Sequence, residues 1–160
     1  MKSLEEFVQE KLKIAKNNKS KNIVVADNDD ELYDIILAKY NEDKEYLDCT
    51  NIDVSKCTSM TGLFSNISNA SVVKTIDITG WDTSNVTDMG SMFEGLSKLE
   101  EIKGIEDIDI SKVQWMTCMF KECESLKLDL SGWNVSHVLY KADMLHNASD
   151  IVKPKGANNI

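Results

Sequence analysis

Apolar residues recur along residues 47–145 in a pattern that repeats four times. The copies align on a serine, and the aligned serines lie 29, 27 and 25 residues apart: Ser55, Ser84, Ser111 and Ser136. Apolar residues follow each serine at offsets of 2, 5, 8, 9, 12 and 15 positions, with few exceptions. This spacing is typical of one face of a helix. Each copy therefore predicts a short helix with one buried stripe.

A short alternating segment precedes each serine, such as Ile76-Asp77-Ile78, and this alternation predicts a strand. A polar turn separates strand from helix, and we interpret one of its columns as turn-stabilising side chains: Asp53, Asp82, Asp109 and Asn134. Units this small bury an apolar face only against neighbouring copies. The predicted fold is therefore α/β, a short leucine-rich-repeat-like solenoid of strand–turn–short-helix units with an N-terminal helical cap.

Four segments follow from these patterns. Residues 1–20 predict an amphipathic helix, and residues 21–46 predict an N-terminal cap made of a strand and a helix. The four repeats occupy residues 47–151, and residues 152–160 form a C-terminal tail. Two alternatives stay open for the first helix, which either packs on the cap or serves as a detachable tag.

Composition and charge narrow the classes of partner. The net charge of the 160 residues is −9, which argues against general nucleic-acid binding. The charge is uneven, because residues 1–22 carry +3 and the remainder carries −12. The chain shows no apolar run of about 18 residues, which predicts no membrane association, and no export signal, which predicts a cytoplasmic location.

Candidate catalytic and metal-binding patterns are weak. The segment "DNDDE" from Asp27 lacks the sixth-position glycine and twelfth-position carboxylate of an EF-hand loop. Cys49, Cys57 and Cys123 fall in apolar columns and are predicted to be buried, whereas Cys118 lies off the stripe and is predicted to be accessible. We therefore expect no cofactor, no metal and no enzymatic activity.

One column differs in character between the copies. The residues four positions after the aligned serines are polar in two copies and aromatic in the other two: Ser59, Asp88, Trp115 and Tyr140. Exposed Trp and Tyr side chains are typical interface anchors. Two interpretations remain, namely that the aromatic residues fold over a neighbouring unit as extra core, or that the column forms a partner-binding patch.

Two of the copies also resemble a known family. The segments "WDTSNVTDMGSMFEGLSKL" and "DISKVQWMTCMFKECESL" resemble the BspA-like leucine-rich repeats of bacterial surface proteins, over roughly residues 47–145. The resemblance implies protein–protein interaction or surface adhesion without catalysis. The segment "DDELYDIILAKY" is similar to the N-terminal head of short, unexported versions from gut Bacteroidetes and their phages.

Together, these observations predict a non-catalytic protein-binding module built on BspA-like leucine-rich repeats. In its most specific form the hypothesis is a phage-encoded protein that engages a host protein. The alternative is a structural or virion-associated protein whose N-terminal helix is a sorting signal.

Overall fold

The computed structural model describes residues 3–17, 23–158 and 160. The predicted boundary between residues 20 and 21 lies outside the described residues. Within these residues, two α-helices and seven short strands run in the order α1 (Leu4–Asn17), β1 (Val24–Val25), α2 (Asp29–Glu42), β2 (Tyr46–Asp48), β3 (Ile52–Asp53), β4 (Thr75–Asp77), β5 (Glu101–Lys103), β6 (Leu128–Asp129) and β7 (Ile151–Val152). Single 3-10 turns span Ala70–Val72 and Ile105–Asp107.

The strands form three small sheets in which every pairing is parallel. β1 pairs with β3, β4 lies between β2 and β5, and β6 pairs with β7. In the three-stranded sheet, Leu47, Ile76 and Ile102 occupy one register position and all three are buried. The repeat spacing therefore sets the strand register, because each copy places one apolar residue at the same point of the sheet.

The segments after the aligned serines form a second parallel ladder. The backbone N–H of Met60 donates to the carbonyl of Asp88, that of Met89 to Trp115, and that of Met116 to Tyr140, at 2.7–2.8 Å. Two residues farther along each copy, the N–H groups of Gly62, Ser91 and Cys118 donate to the next copy in the same way. Each copy is thus tied laterally to its neighbour at every second residue.

The predicted leucine-rich-repeat-like solenoid of strand–turn–short-helix units is wrong, although the α/β class is compatible with the structure. Both α-helices of the described chain precede residue 43, and the predicted repeat helices are consecutive turns. The backbone enters the left-handed region seven residues after each aligned serine, at φ of 53–63°: Gly62, Ser91, Cys118 and Asp143. A left-handed residue interrupts a right-handed helix, so the N–H groups turn to the neighbouring copy instead.

The apolar columns predicted from the repeat nevertheless form the core. Phe64, Phe93 and Phe120 stack with ring centroids 5.2 and 5.5 Å apart and interplanar angles of 9° and 5°. Met89 and Met116, in the column beside them, are fully buried. Equivalent side chains therefore pack on one another from copy to copy, which makes the core continuous across the repeats.

The N-terminal segment covers the first copy. Asn28 caps α2 by accepting a hydrogen bond from the N–H of Glu31. Val8 and Leu12 of α1 are buried, and the Nζ of Lys11 forms an ion pair with the buried Glu31 at 2.6 Å. Within the described residues, neither helix is long and apolar enough to cross a membrane.

Two glycines with similar φ angles should respond differently to substitution. Gly104 and Gly95 have φ of +80° and +76°, but a Cβ on Gly104 would lie 2.6 Å from the Cα of Thr79, whereas a Cβ on Gly95 would meet nothing within 4 Å. Gly95→Ala should lower the free energy of unfolding by about 1–2 kcal/mol, the cost of a left-handed alanine. Gly104→Ala should cost about 1–3 kcal/mol more through crowding. Urea denaturation measures both, and equal losses would contradict the close packing at Thr79.

The continuous core predicts a large effect at Met89. Met89→Ala should lower the free energy of unfolding by about 2–5 kcal/mol, because it opens a cavity beneath a fully buried column. Leu139→Ala is the control, since Leu139 is 66% exposed and its truncation should cost no more than about 0.5 kcal/mol. A similar loss for the two variants would show that the Met column does not carry the core.

Candidate functional site

The structure brings the four candidate residues together on one line. Parallel bridges join Ser59 to Asp88, Asp88 to Trp115, and Trp115 to Tyr140. Ser59 and Asp88 are half-buried, whereas Trp115 is 38% and Tyr140 is 53% exposed. The column therefore runs along the surface from a polar end, next to α2, to an aromatic end.

The two aromatic side chains of the column lie outside the core. Their rings stack with centroids 5.6 Å apart and planes 8° from parallel. By contrast, Trp81 and Trp133, which occupy an apolar column, are only 6% exposed. The interpretation that the aromatic residues fold over a neighbouring unit as extra core is therefore not what the structure shows.

The polar end of the column uses its side chains in local turns. The Asp88 Oδ1 accepts a hydrogen bond from the N–H of Gly90 at 2.8 Å, and the Ser59 Oγ accepts one from the N–H of Thr61 at 3.2 Å. Neither aromatic residue makes such a bond, so the fold tolerates widely different side chains at this position. Lateral backbone hydrogen bonds, rather than the side chain, hold the column in place.

A third large apolar side chain extends the aromatic end. Leu139 is 66% exposed and precedes Tyr140 in the chain. Sequence reasoning missed it, although a signal exists, because the equivalent position is polar in the other copies: Thr58, Thr87 and Gln114. We refer to Trp115, Leu139 and Tyr140 as the aromatic patch.

The predicted turn column has the hydrogen bonds expected of it. The serine N–H groups donate to the Asp or Asn side chain two residues before them, at 2.8–3.1 Å: Asp53, Asp82, Asp109 and Asn134. Hydrogen bonds from Ser84 lower the pKa of Asp82, and those from Ser111 lower the pKa of Asp109. These carboxylates are therefore held ionised by the turns they close.

The carboxylates of the "DNDDE" segment are also engaged within the fold. Hydrogen bonds from Lys56 and Lys11 lower the pKa of Asp27 to about 2. Asp29 accepts hydrogen bonds from the backbone N–H and the hydroxyl of Thr58, at 2.8 and 3.2 Å. Across the described residues, no group of three or more His, Cys, Asp or Glu side chains is placed to hold a metal ion.

The cysteines lie where the columns predicted. Cys49, Cys57 and Cys123 are buried and Cys118 is half-buried, and all four are free thiols. Burial raises the pKa of each of the three buried thiols to about 12. The buried cysteines are therefore protonated core residues rather than nucleophiles.

Comparison with known proteins identifies a family for the repeat region. A family model described as "Mycoplasma protein of unknown function, DUF285" matches residues 36–159, well over half of the chain. No curated protein and no solved structure matches the chain.

The matching family is not the BspA-like leucine-rich-repeat family, so the predicted membership in that family is wrong. The resemblance rested on apolar columns and Asp–Ser turns. A parallel ladder of turns requires both features, because each turn must satisfy its own backbone and pack on the equivalent turn of the next copy. These two features therefore indicate a parallel ladder of turns and are not specific to the BspA-like family.

The stacked rings predict a measurable energetic coupling. Trp115→Ala and Tyr140→Ala should each lower the free energy of unfolding by about 1 kcal/mol or less, because both side chains are substantially exposed. A double-mutant cycle should give a coupling of about 0.5–1 kcal/mol for the stacked pair. Losses above about 3 kcal/mol for either single variant would show that the ring belongs to the core.

Proposed function

We propose that this chain, which belongs to the family described as Mycoplasma protein of unknown function, DUF285, is a non-catalytic protein-binding module acting in the cytoplasm. The partner docks on the aromatic patch. The observation that carries this proposal is the exposed, parallel-stacked pair of Trp115 and Tyr140 beside the exposed Leu139. The free thiols suit a reducing compartment.

The composition of the patch favours a protein interface. Single exposed apolar side chains are common on protein surfaces and need no explanation. Here two aromatic rings stack at the surface, and the exposed Leu139 is the chain neighbour of one of them. Trp and Tyr are among the residues most enriched in binding hot spots. Exposed polar residues lie close to them in the chain, among them Gln114 and Asp143, which suits an apolar centre with a polar rim.

The backbone beneath the patch is already ordered. The N–H of Met116 donates to the carbonyl of Tyr140 at 2.7 Å, and the N–H of Tyr140 donates to the carbonyl of Gln114 at 3.0 Å. Each ring also restrains the other by stacking. A partner would therefore find the anchors held near their bound positions, which lowers the entropic cost of association.

The alternative function, a virion-associated protein sorted by residues 1–20, stays a prediction. A helix that makes no contact with the rest of the protein would favour this alternative. In the described residues, α1 instead packs on α2 through Val8 and Leu12, and Lys11 bonds to Asp27 at 2.9 Å. We therefore place the binding function on the aromatic patch and not on α1.

The proposal predicts which substitutions weaken partner binding. The Trp115→Ala/Tyr140→Ala variant should lose about 2 kcal/mol or more of binding free energy, roughly 30-fold in Kd, because it removes both anchors. The partner is first recovered by photo-crosslinking through a benzoylphenylalanine placed at position 139. Calorimetry with the purified partner then compares the variants.

The matched control for this experiment is Tyr46→Ala. Tyr46 is 39% exposed, close to the 38% of Trp115, but lies in β2 and outside the patch. Its truncation should leave partner affinity within about twofold, as expected for an exposed residue outside an interface. If Tyr46→Ala weakens binding and the double variant does not, the docking surface is elsewhere.

A further inference from the structure

A carboxylate without a cation lies next to the aromatic patch. Asp88 precedes Trp115 in the ladder, and its Oδ1 is fixed by the N–H of Gly90. Among the described residues, no lysine or histidine forms an ion pair with Asp88, and no cation lies over the ring of Trp115 or Tyr140. An anion and two aromatic rings are thus side by side with no positive charge of the chain assigned to them.

The neighbouring glycine makes room for this carboxylate. The other copies carry side chains at the position of Gly90: Thr61, Thr117 and Ala142. A Cβ on Gly90 would lie 3.1 Å from the Asp88 Oδ1, which is closer than ordinary van der Waals contact. Glycine therefore allows the Asp88 carboxylate to lie against the backbone of its own copy, where the N–H of Gly90 holds it.

The same protein shows a completed version of this arrangement elsewhere. In the sheet formed by β2, β4 and β5, the Tyr46 hydroxyl donates to the Asp77 carboxylate at 3.2 Å, and the Lys103 Nζ lies 5.3 Å from the centroid of the Tyr46 ring. Three adjacent strands of this sheet supply an aromatic ring, a carboxylate and a cation, respectively. The ladder at Asp88 and Trp115 supplies the first two of these groups on adjacent copies and lacks the third.

We propose that Asp88 and Trp115 bind an arginine side chain of the protein partner. The inference rests on the proposed function, because the arginine is supplied by the segment that docks on the aromatic patch. The Asp88 carboxylate binds the guanidinium through charge-assisted hydrogen bonds, and the exposed indole provides a surface for stacking. Arginine suits both contacts better than lysine, since its planar fork stacks and bonds simultaneously.

Two further features fit a cationic partner. The net charge of −9 attracts a basic segment at a distance and speeds its encounter with the protein. The chain itself contains no arginine, so no internal guanidinium competes for this position. Acidic residues of α2, Asp29 and Asp30, line a groove together with Ser59 at the polar end of the same column.

The test uses a defined probe with the full chain. Two blocked pentapeptides are titrated against the ¹⁵N-labelled protein, one with the sequence Gly-Arg-Gly-Arg-Gly and the other with citrulline in place of arginine. Citrulline keeps the shape of arginine and removes its charge. The chain has three tryptophans, so the indole N–H signal of Trp115 is assigned from its loss in Trp115→Phe. We expect the arginine peptide to shift this signal at millimolar concentrations, and the citrulline peptide to leave it unchanged.

Asp88→Asn should weaken binding of the arginine peptide about fivefold, the order expected for an ion pair at a protein surface. The matched control is Asp82→Asn. Asp82 lies in the same copy, accepts a hydrogen bond from the N–H two residues ahead just as Asp88 does, and changes the net charge equally. It should leave the affinity within about 1.5-fold, because only steering by net charge is altered.

The outcomes separate this inference from the proposed function. Equal shifts from the arginine and citrulline peptides, or equal losses for Asp88→Asn and Asp82→Asn, would overturn arginine recognition. If the arginine peptide fails to bind while the Trp115→Ala/Tyr140→Ala variant still loses the partner, the proposed function stands and the inference falls. If arginine binding is found and the double variant keeps its partner, the arginine site does not serve the docking of that partner.

Discussion

The structure depends on the direction in which backbone N–H groups point within each turn segment. In the second copy, the N–H groups of Met89, Ser91 and Phe93 donate to the third copy, whereas those of Met92, Glu94 and Leu96 donate to carbonyls three residues back in their own turn. This alternation provides the hydrogen bonds that close each turn and also those that join it to the neighbouring copy. It requires a left-handed residue every fourth position, which Ser91 and Gly95 provide at φ of 53° and 76°. Without it, the segment would close on itself as a helix and leave the next copy unpaired.

This alternation also explains how far the sequence alone could predict the fold. The apolar columns, the strand at Thr75–Asp77 and the cap at Asn28 all follow from residue type and spacing. The repeat helices were wrong because consecutive turns that bond three residues back also bury every third or fourth side chain. A serine, cysteine or aspartate gives no sign in the sequence that its backbone is left-handed. Within the turn segments, only Gly62 and Gly95 indicated left-handed positions. At the candidate site, the column from Ser59 to Tyr140 could be predicted, but its exposure depends on which side of each turn faces solvent.

Because the backbone carries the contacts between copies, one surface line is free to vary. Its four positions hold a serine, an aspartate, a tryptophan and a tyrosine on equivalent backbone. The buried columns allow no such range, since each side chain there must pack on its equivalents in the adjacent copies, as the phenylalanine stack does. The side chains along this line can therefore differ between copies at little cost to the free energy of unfolding. A functional surface on this line therefore lies on an ordered backbone, and its side chains do not have to stabilise that backbone.

Lateral hydrogen bonds run in both directions between copies, because each copy donates to its neighbour and also accepts from it. The N–H of Met89 donates to the carbonyl of Trp115, and the N–H of Gln114 donates to the carbonyl of Thr87. At the C-terminal end, the N–H groups of Lys141, Asp143 and Asn147 have no backbone acceptor among the described residues. The opposite end lies beneath α2, whose Asp29 accepts from the N–H of Thr58. The aromatic patch lies on the third and fourth copies, away from the end that α2 covers, so α2 leaves this surface accessible to a partner.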